Sequence, residues 1–230
     1  MITNKEQLEK TALHYGMLPF FANRIPGFSV EEMTAPGMLF GEDREDYGCW
    51  DWKGPVIREM NLAYGKFFRR KAGFVSLGLL SDFINYRRAA YPIEPDSTEA
   101  MLLDMIRRHE ALTSTELRRM IFGEPQRKRR GDDTARMPVP VAERRQSLEN
   151  PLQRLQMGGY VVIADFEYKH TSAGERYGFG VALYTVPEKL YGRSVISTDR
   201  TPAQSLAYLV KTISDRLPHI PVAQLYHLLR

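Results

Sequence analysis

Between residues 96 and 192 the chain runs through three amphipathic helical segments and then two β-rich runs joined by a short polar turn. Asp96 with Glu99, and Thr113 with Glu116, have the spacing of capping boxes, in which two side chains satisfy each other's free backbone N–H groups. Behind the first, Leu102, Met105, Ile106 and His109 share a helical face. Behind the second, Leu117, Met120 and Ile121 do the same, and Gly123 ends the segment. Ser147 can cap a third helix over residues 147–157, with Leu148, Leu152 and Leu155 on one face and Gly158-Gly159 as its stop. Pro151 then falls in the first turn, where a missing N–H costs little. Residues 160–168 are β-branched and aromatic and predict a strand, 171–175 a turn, and 177–184 the returning strand. Helix, helix, helix, hairpin is the order of a winged helix-turn-helix.

The rest of the chain divides around this block. Leu8, Ala12 and Tyr15 keep helical spacing over residues 4–15, and Gly16 is a natural terminator. Residues 17–55, rich in glycine, proline and aromatics, predict loops and short strands, with Trp50 and Trp52 alternating about Asp51. Residues 63–68 and 73–76 flank Arg69-Arg70-Lys71-Ala72 as the strands of a hairpin would, with glycine expected at the turn. A short helix is expected over 83–88, broken by Pro92 and Pro95. In the tail, Thr201, Pro202 and Gln204 open a helix whose stripe is Leu206, Leu209, Val210, Ile213 and Leu217. Pro218 stops it, and Val222, Leu225 and Leu228 begin another. The expected fold class is α+β: an N-terminal α/β region with a hairpin (1–95), a winged helix-turn-helix core (96–192) and a C-terminal helix pair (193–230). That pair would pack on the rest or join two copies as a homodimer.

Composition excludes more than it assigns. With 43% hydrophobic and 26% charged residues over 230 positions, the chain can bury a true core. The lone cysteine, Cys49, cannot form an internal disulfide, which fits a reducing, cytoplasmic setting, and no base beside it marks it as a nucleophile. No signal-like or membrane-spanning run is present in the sequence, so no membrane partner is expected. His14, His109, His170, His219 and His227 lack metal-ligand spacing, no glycine loop of phosphate-cradling type occurs, and no serine lies in a nucleophile elbow. No cofactor or metal is expected.

The net charge of +4 is mild, but its distribution is uneven. A basic run at 126–130 and the pair Arg144-Arg145 face an acidic run at 42–46. On the third helix, Asn150, Gln153, Arg154 and Met157 lie opposite the leucine stripe. Asn and Gln can pair twice with adenine edges, and Arg contacts guanine or phosphate. Arg144 and Arg145 precede the helix start, which itself favours phosphate. DNA is the partner this set suits. Trp50, Trp52 and Tyr64, with Lys53, Lys66 and Arg69, combine aromatic faces with positive charge, a mixture suited to stacking an extruded base, although such aromatics serve equally as core. Asp165 and Glu167 stand two apart on one strand face with Val161, Ile163 and Lys169, while Val162, Ala164, Phe166 and Tyr168 take the core face. The two carboxylates can orient a water for hydrolysis, or simply pair with Lys169 or the facing strand.

Residues 155–161, 165–169 and 177–180, with Trp50-Asp51-Trp52-Lys53-Gly54-Pro55 and Tyr64-Gly65-Lys66-Phe67-Phe68, carry a family likeness. In them the chain resembles short bacterial proteins described as AlkZ-related, which are similar in turn to AlkZ-type winged-helix DNA glycosylases. The resemblance implies a DNA-repair setting. Those glycosylases act through a Gln-x-Gln motif that this sequence lacks, Gln153 and Gln156 being one residue too far apart. No catalytic residue is therefore carried over. Three functions follow as expectations: a DNA-binding winged-helix protein, an active glycosylase using Asp165 or Glu167, or a protein-interaction module.

Overall fold

The computed structural model describes residues 1–41, 48–123, 141–174 and 176–230; the side chains of 141–147, 176, 177 and 179 lie outside that description. The acidic run at 42–46 and the basic run at 126–130 are outside it too.

Helix α1 (Lys5–Tyr15) opens where the Asn4 side chain accepts the Gln7 N–H and closes at Gly16, whose φ of 74° suits glycine. Strand β1 (Met17–Pro19), the short α2 (Val30–Met33) and α3 (Cys49–Arg58) follow. Strands β2 (Leu62–Phe68) and β3 (Lys71–Ser76) form a hairpin, and β1 adds to the free edge of β3. At Gly73 an added Cβ would stand 2.6 Å from the Leu18 carbonyl, so only glycine lets these strands approach. Then come α4 (Leu77–Ala90), α5 (Thr98–Arg108), β4 (Leu112–Thr113), α6 (Ser114–Phe122) and α7 (Val141–Met157). Strands β5 (Val162–His170) and β6 (Arg176–Thr185) make the second hairpin, with β4 on the free edge of β6. The chain ends in α8 (Pro187–Leu190), a 3-10 turn (Arg193–Ile196), α9 (Pro202–Arg216) and α10 (Val222–Leu229). The class is α+β with two small antiparallel sheets.

Several local expectations change. Trp50 and Trp52 lie on a helix, not on loop or strand, because α3 tolerates Gly54 and Pro55 while burying Cys49, Lys53, Val56 and Ile57. Helix α4 covers 14 residues, well beyond 83–88. Ser97, not Asp96, caps α5, accepting the Ala100 N–H at 3.2 Å. The Thr113–Glu116 and Thr201–Gln204 boxes both form. His109 and Met120 are exposed and do not complete the core stripes. Helix α7 starts six residues before Ser147, which puts Pro151 in its interior, where the proline withholds an amide from the helical ladder.

Two apolar cores result. The larger is aromatic and gathers both ends of the chain: Phe20, Phe28, Tyr64, Phe67, Phe68, Phe74 and Phe83 pack with Leu209, Ile213, Leu225 and Leu229. The smaller is aliphatic, built from Leu102, Ile106, Leu117, Leu148, Leu152, Leu155 and Val161, and Tyr184 touches both. The α9 stripe is thus spent inside the chain against the N-terminal region. Buried Asp82 of α4 fastens that contact, accepting from the Ser205 hydroxyl at 2.7 Å and from Arg200 at 2.9 Å. Among the described residues no helix is long and apolar enough to cross a membrane.

Candidate nucleic-acid interface

Phe68 pairs with Lys71, so the first hairpin turns in two residues, Arg69 and Arg70. Both are left-handed, at φ 50° and 68°. A two-residue turn of this hand needs positive φ at both positions, which is why Asn-Gly usually fills it. Glycine was the expected turn residue; two arginines stand there, both exposed. Each carries a backbone cost of ~1–2 kcal/mol relative to glycine.

Just before the turn the register shifts between Gly65 and Phe68, a bulge that releases backbone groups from the ladder. The Lys66 N–H donates to Gln156 Oε1 of α7 at 3.0 Å. The Phe67 carbonyl accepts from the Arg87 guanidinium of α4, and that side chain is fully buried among the rings of Phe83, Tyr86 and Tyr91. Gln156 uses its other end on the Leu152 carbonyl, and Gln153 donates to the Arg70 carbonyl at 3.2 Å. Buried polar groups need such partners. The bonds from Gln153 and Gln156 explain why α7 lies along the hairpin and why Gln156 is buried.

The outcome for each expected site residue follows from this docking. Asn150 is exposed, and Arg154 is 58% exposed with its Nε 3.0 Å from Glu99. Gln153 is half-buried by its bond to the turn, and Met157 is buried at 8% exposure, so the outward stripe on α7 is narrower than expected. Arg144 and Arg145 lie early in α7, and their side chains are outside the described residues. Lys66 is half-buried on β2, and Arg69 is exposed at the turn. The hairpin set and the α7 set, far apart in sequence, are brought side by side. Arg70 belongs with them and was missed, although the bare Arg69-Arg70 between two strands was a readable signal.

The aromatic set separates. Tyr64 is 2% exposed, packed edge-on with Phe20 and Phe166 and at a tilt with Phe74, and its burial pushes the phenol far above the usual tyrosine range. It is a core residue and cannot stack a base. Trp50 and Trp52 are half-buried against the same core, and Lys53 is buried with Nζ 3.9 Å from the Trp50 ring centre and 4.3 Å from that of Phe166. Cys49 is buried, and burial raises its thiol pKa, as a quiet packed thiol requires.

Val161, just before β5, is buried in the smaller core and Val162 and Ile163 in the larger one, and a bulge at Ala164 interrupts the alternation beyond them. Asp165 Oδ1 is held by Arg58 of α3 at 2.8 Å and by the Phe166 N–H at 2.8 Å, whereas Glu167 is exposed. The partner of Asp165 is therefore neither Lys169 nor the facing strand. Among the described residues no three His, Cys, Asp or Glu side chains gather as a metal site.

A family model described as AlkZ related matches residues 2–230. The chain belongs to the AlkZ-related family. A solved structure similar to this AlkZ-related protein is the Streptomyces sahachiroi DNA glycosylase AlkZ, at 14% identity and a TM-score of 0.41. That match covers 70% of this chain and 41% of the glycosylase. No curated protein matches the sequence.

Proposed function

We propose that this AlkZ-related chain binds duplex or damaged DNA across the ridge formed by the Arg69-Arg70 turn and the exposed face of α7. In this reading residues 96–192 act as a winged helix, residues 1–95 and 193–230 support it, and the protein works in the cytoplasm within DNA repair. The turn carries the reading. Both adjacent arginines are exposed, Arg69 also donating to the His227 carbonyl at 3.3 Å, at a backbone cost that Asn-Gly would avoid, and strain retained at an exposed site points to use. Guanidinium groups grip phosphate oxygens two at a time, and Asn150 and Arg154 lie alongside on α7 to meet base edges or a second strand. The resemblance of the family to AlkZ-type DNA glycosylases points the same way.

The test is fluorescence anisotropy with a labelled duplex at several salt concentrations. Arg69→Asn combined with Arg70→Gly should weaken binding ~10-fold or more and reduce the magnitude of the salt slope by about 2, one unit for each phosphate no longer neutralised. Unchanged affinity and slope in that folded variant would sink the proposal. Incubation with alkylated DNA followed by alkali separates binding from catalysis. With Asp165 engaged by Arg58, binding without strand breaks is the expected result.

A further inference from the structure

The Arg69-Arg70 turn has two flanks of unlike charge. On the side of α7 the described cations already have acids beside them: Arg154 Nε stands 3.0 Å from Glu99, and exposed Glu149, next to Asn150, stands 3.7 Å from Arg118. On the other side the charge is of one sign. Exposed Lys71, the residue after the turn, donates to the Ala22 carbonyl at 2.8 Å, which fastens the tip to the segment leading to Arg24. Arg69 Nη1 donates to the His227 carbonyl of α10 at 3.3 Å, and exposed Arg24 and His227 line one open cleft. Arg24, Arg69, Arg70 and Lys71 thus crowd one side of the tip, and among the described residues none of them pairs with a carboxylate. Burial, and then the positive charges of Arg69, Arg24 and Arg230, hold the His227 imidazole below the ordinary histidine range, as crowding of like charge does. The acids closest in sequence to Arg24 are turned onto their own segment: Glu31 accepts the Ala22 N–H, and Glu32 the Gly27 N–H and the Ser29 hydroxyl.

We propose that the phosphate backbone of bound DNA runs along this second flank, over Arg24, Arg69, Arg70 and Lys71, while the α7 flank meets base edges; the inference rests on the DNA-binding reading above. A nucleic-acid backbone presents a row of phosphates, so cations spread over a surface serve it without converging on a single anion. An exposed arginine already paired with a carboxylate must exchange that partner for phosphate and gains little. A cation without one gains the whole attraction, and each phosphate it neutralises releases counterions. The flank is therefore an extension of the binding surface from the turn onto the segment before α2, away from the helix that a winged-helix reading puts at its centre.

The experiment is anisotropy of the full chain with a labelled duplex across a salt series, repeated on duplexes of different sequence. Arg24→Gln with Lys71→Gln should weaken binding ~10-fold or more and lower the magnitude of the salt slope by about 2, equally for every sequence. Arg24→Gln alone should give about half of that slope change. Arg154→Gln, on the flank where Glu99 already faces the arginine, should lower the slope by less than Arg24→Gln does. Exposed Lys10 and Arg193 lie toward the base of the hairpin: the Ser76 N–H donates to the Gly16 carbonyl that closes α1, and the Tyr191 hydroxyl donates to the Leu62 carbonyl. Lys10→Gln with Arg193→Gln removes the same charge there and should leave affinity and slope unchanged. A slope in the Arg24 and Lys71 variant that matches the parent, or that the Lys10 and Arg193 variant equals, overturns the inference. A parent that binds duplex DNA and loses it only through Arg69 and Arg70 removes this flank and keeps the proposed function. A parent that binds no duplex sinks the proposed function and this inference with it.

Discussion

The hairpins β2–β3 and β5–β6 share a plan: in each, the second strand is central and a short third strand completes the sheet on its far side. Their surroundings are opposite. β2 is buried almost throughout, in the aromatic core, and turns in two left-handed arginines. β5 is buried only at its start, runs out half-exposed, and ends beyond His170 in an exposed polar turn with Gly174 at φ 82°. Where the strand is held on every side, the chain tolerates strain at the tip and keeps charge there. Where the strand is free, the turn uses glycine. Rigidity at the base of β2–β3 is thus what allows two arginines to be presented in a fixed place.

The largest effect should come from removing that base. Phe67→Ala in β2, at 0% exposure, should cost ~3–5 kcal/mol in denaturant unfolding. Glu167→Ala on the exposed part of β5 should stay within about 0.5 kcal/mol. Similar costs at both sites would erase the contrast. Next, Gln156→Leu should leave the Lys66 N–H without a partner, cost ~1–3 kcal/mol, and speed hydrogen exchange at that amide above all others in β2. Exchange unchanged at Lys66 would mean that the bulge is satisfied in another way.

Relieving the turn should act in the other direction. Arg69→Asn with Arg70→Gly is expected to raise stability by ~1–2 kcal/mol, read as a higher denaturation midpoint, in the variant that loses DNA affinity. A loss of stability would remove the argument from strain. Arg58→Ala, which breaks the half-exposed pair with Asp165 between α3 and β5, should cost no more than ~1 kcal/mol.

A pH-dependent effect of similar size lies at α6. The Thr113 N–H and hydroxyl, donating to Glu116, hold that carboxyl below the usual glutamate range. Its contribution is therefore complete above the unfolded value, about 4.3, and is lost as pH falls through the lower folded value. Thr113→Ala should cost ~1 kcal/mol at neutral pH and less in acid. A deficit that does not shrink on acidification would show that the carboxylate plays no part in the box.

Much of the fold was legible wherever a local rule acts alone. The Thr113 and Thr201 boxes, the Asn4–Gly16 helix, the leucine stripe of α7 and both hairpins depend on spacing within about a turn or a strand pair. The misses share a cause. Helix α3 was hidden because Gly54 and Pro55 argue against a helix locally, and only packing against the aromatic core outweighs them. The alternation of β5 failed because Val161, Val162 and Ile163 lie where the two apolar cores meet, and because irregularities at Ala164 and Tyr168 interrupt the register beyond them. Tyr64 looked like a stacking residue because an aromatic has the same composition signature in a core as at a surface.

The candidate site divides in the same way. Residue types alone determined that Arg69, Asn150, Gln153 and Arg154 were polar positions on a turn and on one face of a helix. Only the tertiary structure decided that these segments, some 80 residues apart in sequence, meet: Gln153 bonds to Arg70 and Gln156 to the bulge beside it. It also decided that Met157 turns inward and that Asp165 is engaged by Arg58. The physical reason is that backbone periodicity assigns a side chain to a face within its own element. Whether that face meets water or another element depends on which orphaned donors and apolar surfaces elsewhere in the chain remain to be covered.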